Sequence, residues 1–274
     1  MLAGRRAEDI SKRLAQAREA GFSLCQLNLQ QEGLSRADLV EIADALLEYG
    51  IRPVSIGCYV NPLAPNRPSY LGATRGDLET ALHGLDILGA RRVVLLSGSR
   101  GDAFYDAEPW NETDEALADL SSFITSVVKE TKARNYLLVL EPWYCHVLYS
   151  VERILQFHDG LHPDVARHVR YVLDAVNLLS PERYEERDTV AASACRALGA
   201  GAGVVHLKDI VMPPDGEHAM PPPGLGRLDY AAYVAALHEY AADETPAIVR
   251  NVPAQEMAQV RDILLRMSDR WRLA

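Results

Sequence analysis

Short apolar runs rich in Val, Ile and Leu alternate along the chain with longer stretches of helical period. The runs Ser23–Leu29, Pro53–Val60, Arg92–Ser97, Leu137–Glu141, Arg170–Ala175, Gly203–Asp209 and Ala247–Asn251 predict strands. They are nearly continuous in apolar residues, the pattern of strands covered on both faces. Between them the spacing predicts amphipathic helices. Leu78, Ala81, Leu82, Leu85 and Leu88 share one face, and Ala116, Leu120, Phe123 and Val127 another, with Val128 assigned to the next helix. Near the C-terminus Val260, Ile263, Leu264 and Met267 share a third. Charged residues occupy the opposite faces, as a 3.6-residue period requires. The segment Ala7–Ala20 is also helix-like, with Ile10, Leu14 and Ala17 aligned.

Repeated strand–helix units predict a parallel α/β sheet. No linker rich in Gly, Pro or Ser divides the chain, so residues 1–274 read as one domain. The length suits a (β/α)8 TIM barrel, which takes about 250 residues. Seven strands are visible, and the first is missing or reduced to Met1–Ala3. Either the true start lies upstream or the barrel is incomplete. A doubly wound open sheet is the alternative, but it would advertise a Gly-rich phosphate turn, and no G-x-G-x-x-G occurs.

Composition narrows the class. Hydrophobic residues make up 48% and charged residues 24%, close to the globular average. The net charge of −10 disfavours nucleic acid as a partner. No apolar run is long enough to span a bilayer, and Met1–Ile10 lacks the apolar core of a secretory signal. The expectation is a cytoplasmic protein without a membrane partner. Cys25, Cys58, Cys145 and Cys195 are widely spaced and read as small buried hydrophobes.

In a barrel of this kind function sits at the C-terminal ends of the strands. Leu137–Leu140 ends in Glu141, Tyr171–Leu173 in Asp174, Val204–Val205 in His206, and Ala247–Val249 in Arg250. Four consecutive strands thus place an ionisable group where an apolar one would pack at lower cost. A carboxylate buried alone costs several kcal/mol, so such groups imply partners. Two carboxylates and an imidazole suit a divalent cation: manganese, magnesium, cobalt or zinc. Taken singly, each of these residues can equally be a helix cap, an ion-pair member or a satisfied core residue.

The order and spacing of several segments resemble the xylose-isomerase-like barrel superfamily, in particular its sugar phosphate isomerase/epimerase branch. The segments are Ala20-Gly21-Phe22, Leu137–Glu141, Asp174-Ala-Val-Asn177-Leu-Leu, His206-Leu-Lys-Asp209 and Gly224-Leu-Gly226-Arg-Leu-Asp229-Tyr230. The resemblance implies a divalent metal, manganese first, held by Glu141, Asp174, His206 and a last-strand carboxylate. Arg250 stands at that fourth position, and Asn177 stands where many relatives carry a His. Two outcomes are open: Arg250 grips an anionic substrate group beside the metal, or it neutralises Glu141 and Asp174 in the metal's place.

Around this centre the expected catalytic residues are Glu141, His146 and Arg250, and the expected substrate contacts are Trp143, Asn177, Lys208 and Arg250. His146, on a loop after Glu141, is a candidate acid or base. Trp143, Tyr144, Tyr105 and Trp110 are candidate walls for a sugar ring. Asp209 can orient His206 or cap a turn. Met212–Arg227, which contains Glu217 and His218, reads as a lid with Gly224 and Gly226 at its return. The loops Asn61–Arg75 and Gly98–Glu112 complete an enclosed mouth.

The implied activity is proton transfer beside a polarised carbonyl of a small carbohydrate, by an isomerase or epimerase. Lacking a second carboxylate base at 250, such a site favours same-face transfer. A lyase cleaving 3-keto C-glycosides by β-elimination is the runner-up, since the segment from Asp174 to Leu179 looks like that of such relatives. A catalytically idle sugar-binding barrel and an abasic-site nuclease are further alternatives, the last opposed by the charge. Homo-oligomerisation or a small partner subunit is compatible with all of these.

Overall fold

In a computed structural model of the chain, which describes residues 2–3, 7–29, 35–131, 135–212 and 219–268, eight strands form one sheet in sequence order. They are β1 (Leu2–Ala3), β2 (Leu24–Asn28), β3 (Arg52–Gly57), β4 (Arg92–Leu96), β5 (Leu137–Glu141), β6 (Val169–Leu173), β7 (Ala202–Leu207) and β8 (Ala247–Val249). Every neighbouring pair is parallel. The first strand is the very short one, pairing Leu2 with Leu27 and Ala3 with Asn28. Among the described residues no ladder joins β8 to β1, so the (β/α)8 barrel is nearly closed.

The helices are α1 (Ala7–Glu19), α2 (Arg36–Glu48), α3 (Arg75–Leu88), α4 (Asp114–Glu130), α5 (Val151–Asp159), α6 (Pro163–Ala166), α7 (Arg187–Leu198), α8 (Tyr230–Tyr240) and α9 (Met257–Met267). Their starts are set by local chemistry. Ser35 with Asp38, and Thr74 with Asp77, form reciprocal capping boxes that satisfy otherwise orphaned backbone N–H groups. Thr113, Ser150 and Asp229 cap α4, α5 and α8. The end of α3 uses Gly89 at φ 69°, a left-handed conformation that an L side chain would strain.

The helical faces read from the sequence are buried as expected for α1 and α3. Two assignments change. Val128 does not open a new helix: α4 runs unbroken from Asp114 to Glu130 and buries Val127 and Val128 side by side, because its apolar stripe is broad. On α9 only Val260 and Leu264 are buried, and Met267 is exposed in the last turn. No helix among the described residues is long and apolar enough to cross a membrane.

Two cores result. The larger lies between sheet and helices. The smaller fills the barrel and contains Val54, Tyr59, Val94, Leu96, Val139, Val172, Val204 and Ile248. Successive strand residues point to opposite faces, so the residue two further on lies one layer up on the same face. That rule carries Val139 to Glu141, Val172 to Asp174, Val204 to His206 and Ile248 to Arg250. A floor of branched apolar side chains thus supports a ring of ionisable ones at the C-terminal mouth. All four cysteines are free and buried.

Candidate functional site

Glu141, Asp174 and His206 converge. One ligand-capable atom from each lies within 4.8 Å of the others, and all three side chains are buried. His206 Nδ1 is 3.6 Å from Glu141 Oε2 and 3.8 Å from Asp174 Oδ2. Those two carboxylate oxygens are buried and accept no hydrogen bond from the described residues. The other oxygens are engaged: Asn177 Nδ2 donates to Glu141 Oε1 at 3.0 Å, and the Asn177 backbone N–H to Asp174 Oδ1 at 3.3 Å. Lys208 Nζ lies 3.2 Å from Asp174 Oδ2, donates to Asn177 Oδ1, and sits 4.4 Å from the centroid of the Trp143 ring.

The imidazole is oriented from the opposite wall of the barrel. His206 Nε2 lies 3.2 Å from Gln26 Oε1, an acceptor, so Nε2 carries the hydrogen and Nδ1 offers its lone pair to the centre. Gln26 is itself fixed, accepting from Ser55 Oγ at 2.9 Å and donating to Tyr59 OH at 2.8 Å and Asn28 Oδ1 at 3.3 Å. Gly57 leaves room for this network, since a Cβ there would lie 2.3 Å from Asn28 Oδ1. Gln26, Asn28, Ser55 and Tyr59 are residues of the candidate site that sequence reasoning missed. The available signal was a pair of amides, two residues apart, within an otherwise apolar strand.

Arg250 enters the same centre. Its Nη1 donates to Tyr59 OH at 2.9 Å and lies 3.3 Å from His206 Nδ1 and 3.9 Å from Glu141 Oε2. Its side chain is only 12% exposed. Among the described residues its buried Nε has no hydrogen-bond partner.

Burial acts on every charge here, and the partners decide the sign. For Glu141 burial favours the neutral acid, but His206, Arg250 and Lys208 outweigh it and hold the carboxyl well below the usual range. For His206 burial and then Arg250 disfavour protonation, against the pull of Glu141 and Asp174. Burial also lowers Lys208, against the pull of Asp174. Arg250 is opposed by burial yet raised by Tyr59, Glu141 and Asp174.

His146 lies away from solvent, beneath Phe104. It is fully buried, its Nε2 meets the Phe104 carbonyl at 3.1 Å, and its Nδ1 has no partner among the described residues. Burial pushes its pKa down to about 4. Phe104 gathers an aromatic cluster, with ring centroids 4.9 Å from Tyr105, Trp143 and His146. Tyr105 is half exposed and Trp143 buried. Trp110 does not join them: it stacks under Arg100, 3.4 Å from ring centroid to guanidinium carbon, and packs on the outer core. The Tyr144 backbone N–H donates to the Asn177 carbonyl, tying the β5 loop to the β6 loop.

Asp209 caps the turn and does not orient His206. Its oxygens accept from the backbone N–H groups of Ile210, Gly226 and Leu228 at 2.8, 2.9 and 3.0 Å. Gly226 is required there, because a Cβ would come within 2.3 Å of Asp209 Oδ1. Glu217 and His218 lie outside the described residues. The loops after β3 and β4 line a cavity of about 670 Å³, beside residues Asn61, Tyr70, Ser99 and Asp102, which holds none of the ionisable strand-tip groups. A second cavity, about 510 Å³, opens at the opposite end of the barrel by Arg52, Arg92 and Glu244.

The donor set fits a divalent cation. Two buried carboxylate oxygens and an imidazole nitrogen face one point, with Lys208 Nζ 3.2 Å from Asp174 Oδ2 and Arg250 Nη1 3.3 Å from His206 Nδ1, and a buried cluster of this kind calls for positive charge. Arg250 cannot be a ligand, since a guanidinium has no lone pair to give. Three protein ligands would leave positions open to a substrate, as catalytic sites do.

The fold and the buried Glu–Asp–His set therefore define an α/β barrel with a candidate metal centre at its C-terminal mouth. The family model for the xylose isomerase-like TIM barrel matches residues 14–263, and the chain belongs to that family. No curated protein matches it in sequence. Among solved structures it is similar to an L-ribulose 3-epimerase (19% identity, TM-score 0.70, covering 97% of this chain and 90% of that one). It is also similar to the D-allulose 3-epimerase of Methylomonas sp. in complex with D-allulose (17%, TM-score 0.68, 97% and 93%). A third is a xylose isomerase-like TIM barrel protein of Mycobacterium smegmatis in complex with magnesium (16%, TM-score 0.67, 95% and 88%). At these identities the likeness is one of fold.

Proposed function

We propose that the protein is an isomerase or epimerase of a sugar or sugar derivative, assisted by a divalent cation. The observation that carries this reading is the convergence of Glu141 Oε2, Asp174 Oδ2 and His206 Nδ1, with both oxygens buried and accepting no hydrogen bond from the described residues. Those three residues would hold the ion, manganese by first expectation. When bound, such an ion polarises a substrate carbonyl or hydroxyl and acidifies the neighbouring C–H.

The chain's own residues do the rest. Glu141 is the proton carrier. Its neighbours keep it ionised, and Asn177 fixes it through Oε1, so Oε2 is presented in one orientation. Lys208 and Asn177 hold the two carboxylates apart and in register. Gln26 fixes the His206 ring. His146 is a positioning residue: its ring N–H holds the Phe104 carbonyl and with it the aromatic wall of Trp143 and Tyr105, which suits the apolar C–H face of a sugar. With Arg250 in place of a second carboxylate, a single base serves one face of the substrate, which favours transfer between adjacent carbons over inversion.

The test is deuterium exchange. Metal-loaded protein is incubated in D2O with a panel of aldoses, ketoses and their acids, and carbon-bound hydrogen is followed by NMR. The expected result is exchange at one carbon beside a carbonyl, reduced about a thousandfold in Glu141→Gln. No exchange in any substrate with manganese, magnesium, cobalt or zinc would overturn the reading.

A further inference from the structure

We infer that the substrate is an acid, a sugar-type hydroxy or keto acid whose carboxylate binds Arg250 next to the reacting carbon. This rests on the active-site location proposed above and goes beyond it to the substrate's charge.

Charge balance comes first. The centre pairs two carboxylates, Glu141 and Asp174, with two basic side chains, Lys208 and Arg250. The four charges already cancel. Adding a divalent cation leaves a buried site two charges in excess, and burying unbalanced charge is costly. An anion arriving with the ion relieves part of that excess, and a neutral sugar relieves none.

The guanidinium supplies the place for it. Arg250 spends Nη1 on Tyr59 and His206. Among the described residues its Nε and Nη2 make no hydrogen bond, and Nε is buried. Nε and Nη2 form one edge of the planar group, the fork that accepts a carboxylate through two parallel N–H bonds. An N–H edge whose Nε is buried and unpaired among the described residues calls for an acceptor, and a ligand carboxylate supplies one.

Distance selects carboxylate over a remote phosphate. Arg250 Nη1 is 3.3 Å from His206 Nδ1 and 3.9 Å from Glu141 Oε2, so the fork adjoins the ligands and the base. An anionic group held there lies within one or two carbons of the carbon that meets Glu141. A phosphate at the far end of a pentose or hexose would lie elsewhere in the mouth.

Binding, not turnover, tests this. Metal-stripped protein is titrated calorimetrically with glycerate, threonate and gluconate, with the polyols glycerol, threitol and glucitol, and with glycerol 3-phosphate. Each titration is run with and without Mn2+. At least one acid is expected to bind while the polyols do not, and Mn2+ to strengthen it at least tenfold. Linkage requires the acid to strengthen Mn2+ by the same factor. Arg250→Gln loses the acid dependence. Arg250→Glu loses it too and binds Mn2+ alone at least tenfold more tightly than the wild type. Circular dichroism checks that both variants fold.

Mn2+ binding with no response to any acid overturns this inference and leaves the metal-assisted reading standing. So does a response to glycerol 3-phosphate alone. Arg250-dependent acid binding without Mn2+ uptake supports the inference and overturns the metal in the reading above. Neither acid nor Mn2+ binding overturns both.

Discussion

The two halves of the barrel mouth are built to opposite rules. Strands β5 to β8 raise Glu141, Asp174, His206, Lys208 and Arg250 above the apolar floor. Strands β2 and β3 and the residues beside them raise Gln26, Asn28, Ser55 and Tyr59, all uncharged. The charged half carries groups that can bind an ion, move a proton or hold an anion. The neutral half cannot, yet it fixes the His206 tautomer through Gln26 and one end of Arg250 through Tyr59. A charged centre pre-organised by a neutral buttress gains orientation without adding charge that would need its own partner.

Breaking the charged half should cost most. Asp174→Ala leaves Lys208 buried beside no carboxylate and is expected to destabilise the fold by about 3–5 kcal/mol, measured by urea unfolding. It should also abolish Mn2+ uptake. In the neutral half, Tyr59→Phe removes the acceptor shared by Gln26 Nε2 and Arg250 Nη1. Unsatisfied buried donors put its cost at about 1–3 kcal/mol in the same assay.

Gln26→Ala is expected to act on function more than on stability. Releasing the His206 ring should weaken Mn2+ binding about tenfold or somewhat more, read by calorimetry, while the fold survives. An equal effect from Gln26→Ala and His206→Ala would show that the two halves are not divided as described.

The smallest effect is a slope. The His146 pKa lies at about 4 in the folded protein, below its ordinary value of 6.5. Unfolded chain therefore binds more protons in that window, and stability falls as pH drops from 6.5 toward 4. The expected contribution is about 1 kcal/mol per pH unit, with the full stability present above pH 6.5. His206 is shifted the same way by burial, so His146→Phe should remove part of the slope and leave the rest. Urea unfolding between pH 4.5 and 7.5 checks it.

Most of the charged half was legible. A strand that ends its apolar run on Glu, Asp, His or Arg announces that residue, because alternation leaves it facing inward over an apolar neighbour two positions back. The neutral half was not. Gln26 and Tyr59 lie far from His206 and Arg250 in sequence, and an amide within a strand carries no signal of which side chain it will meet. Asp209 and Trp110 show the same limit from the other side. Each is of the right type for the site, but local backbone geometry turns one into a cap for Gly226 and Leu228, and Arg100 takes the other.

What the amino-acid order settled alone is the periodicity: strand–helix units, the apolar floor, and which residue types cap each strand. Those follow from repeats of two and 3.6 residues, which are local. Only the tertiary structure decided that three ligand-capable atoms meet within 4.8 Å, that Lys208 and Arg250 face the carboxylates, and that Arg250 Nε has no partner among the described residues. Distances across a barrel depend on curvature and on register between strands, and neither is written in any single segment.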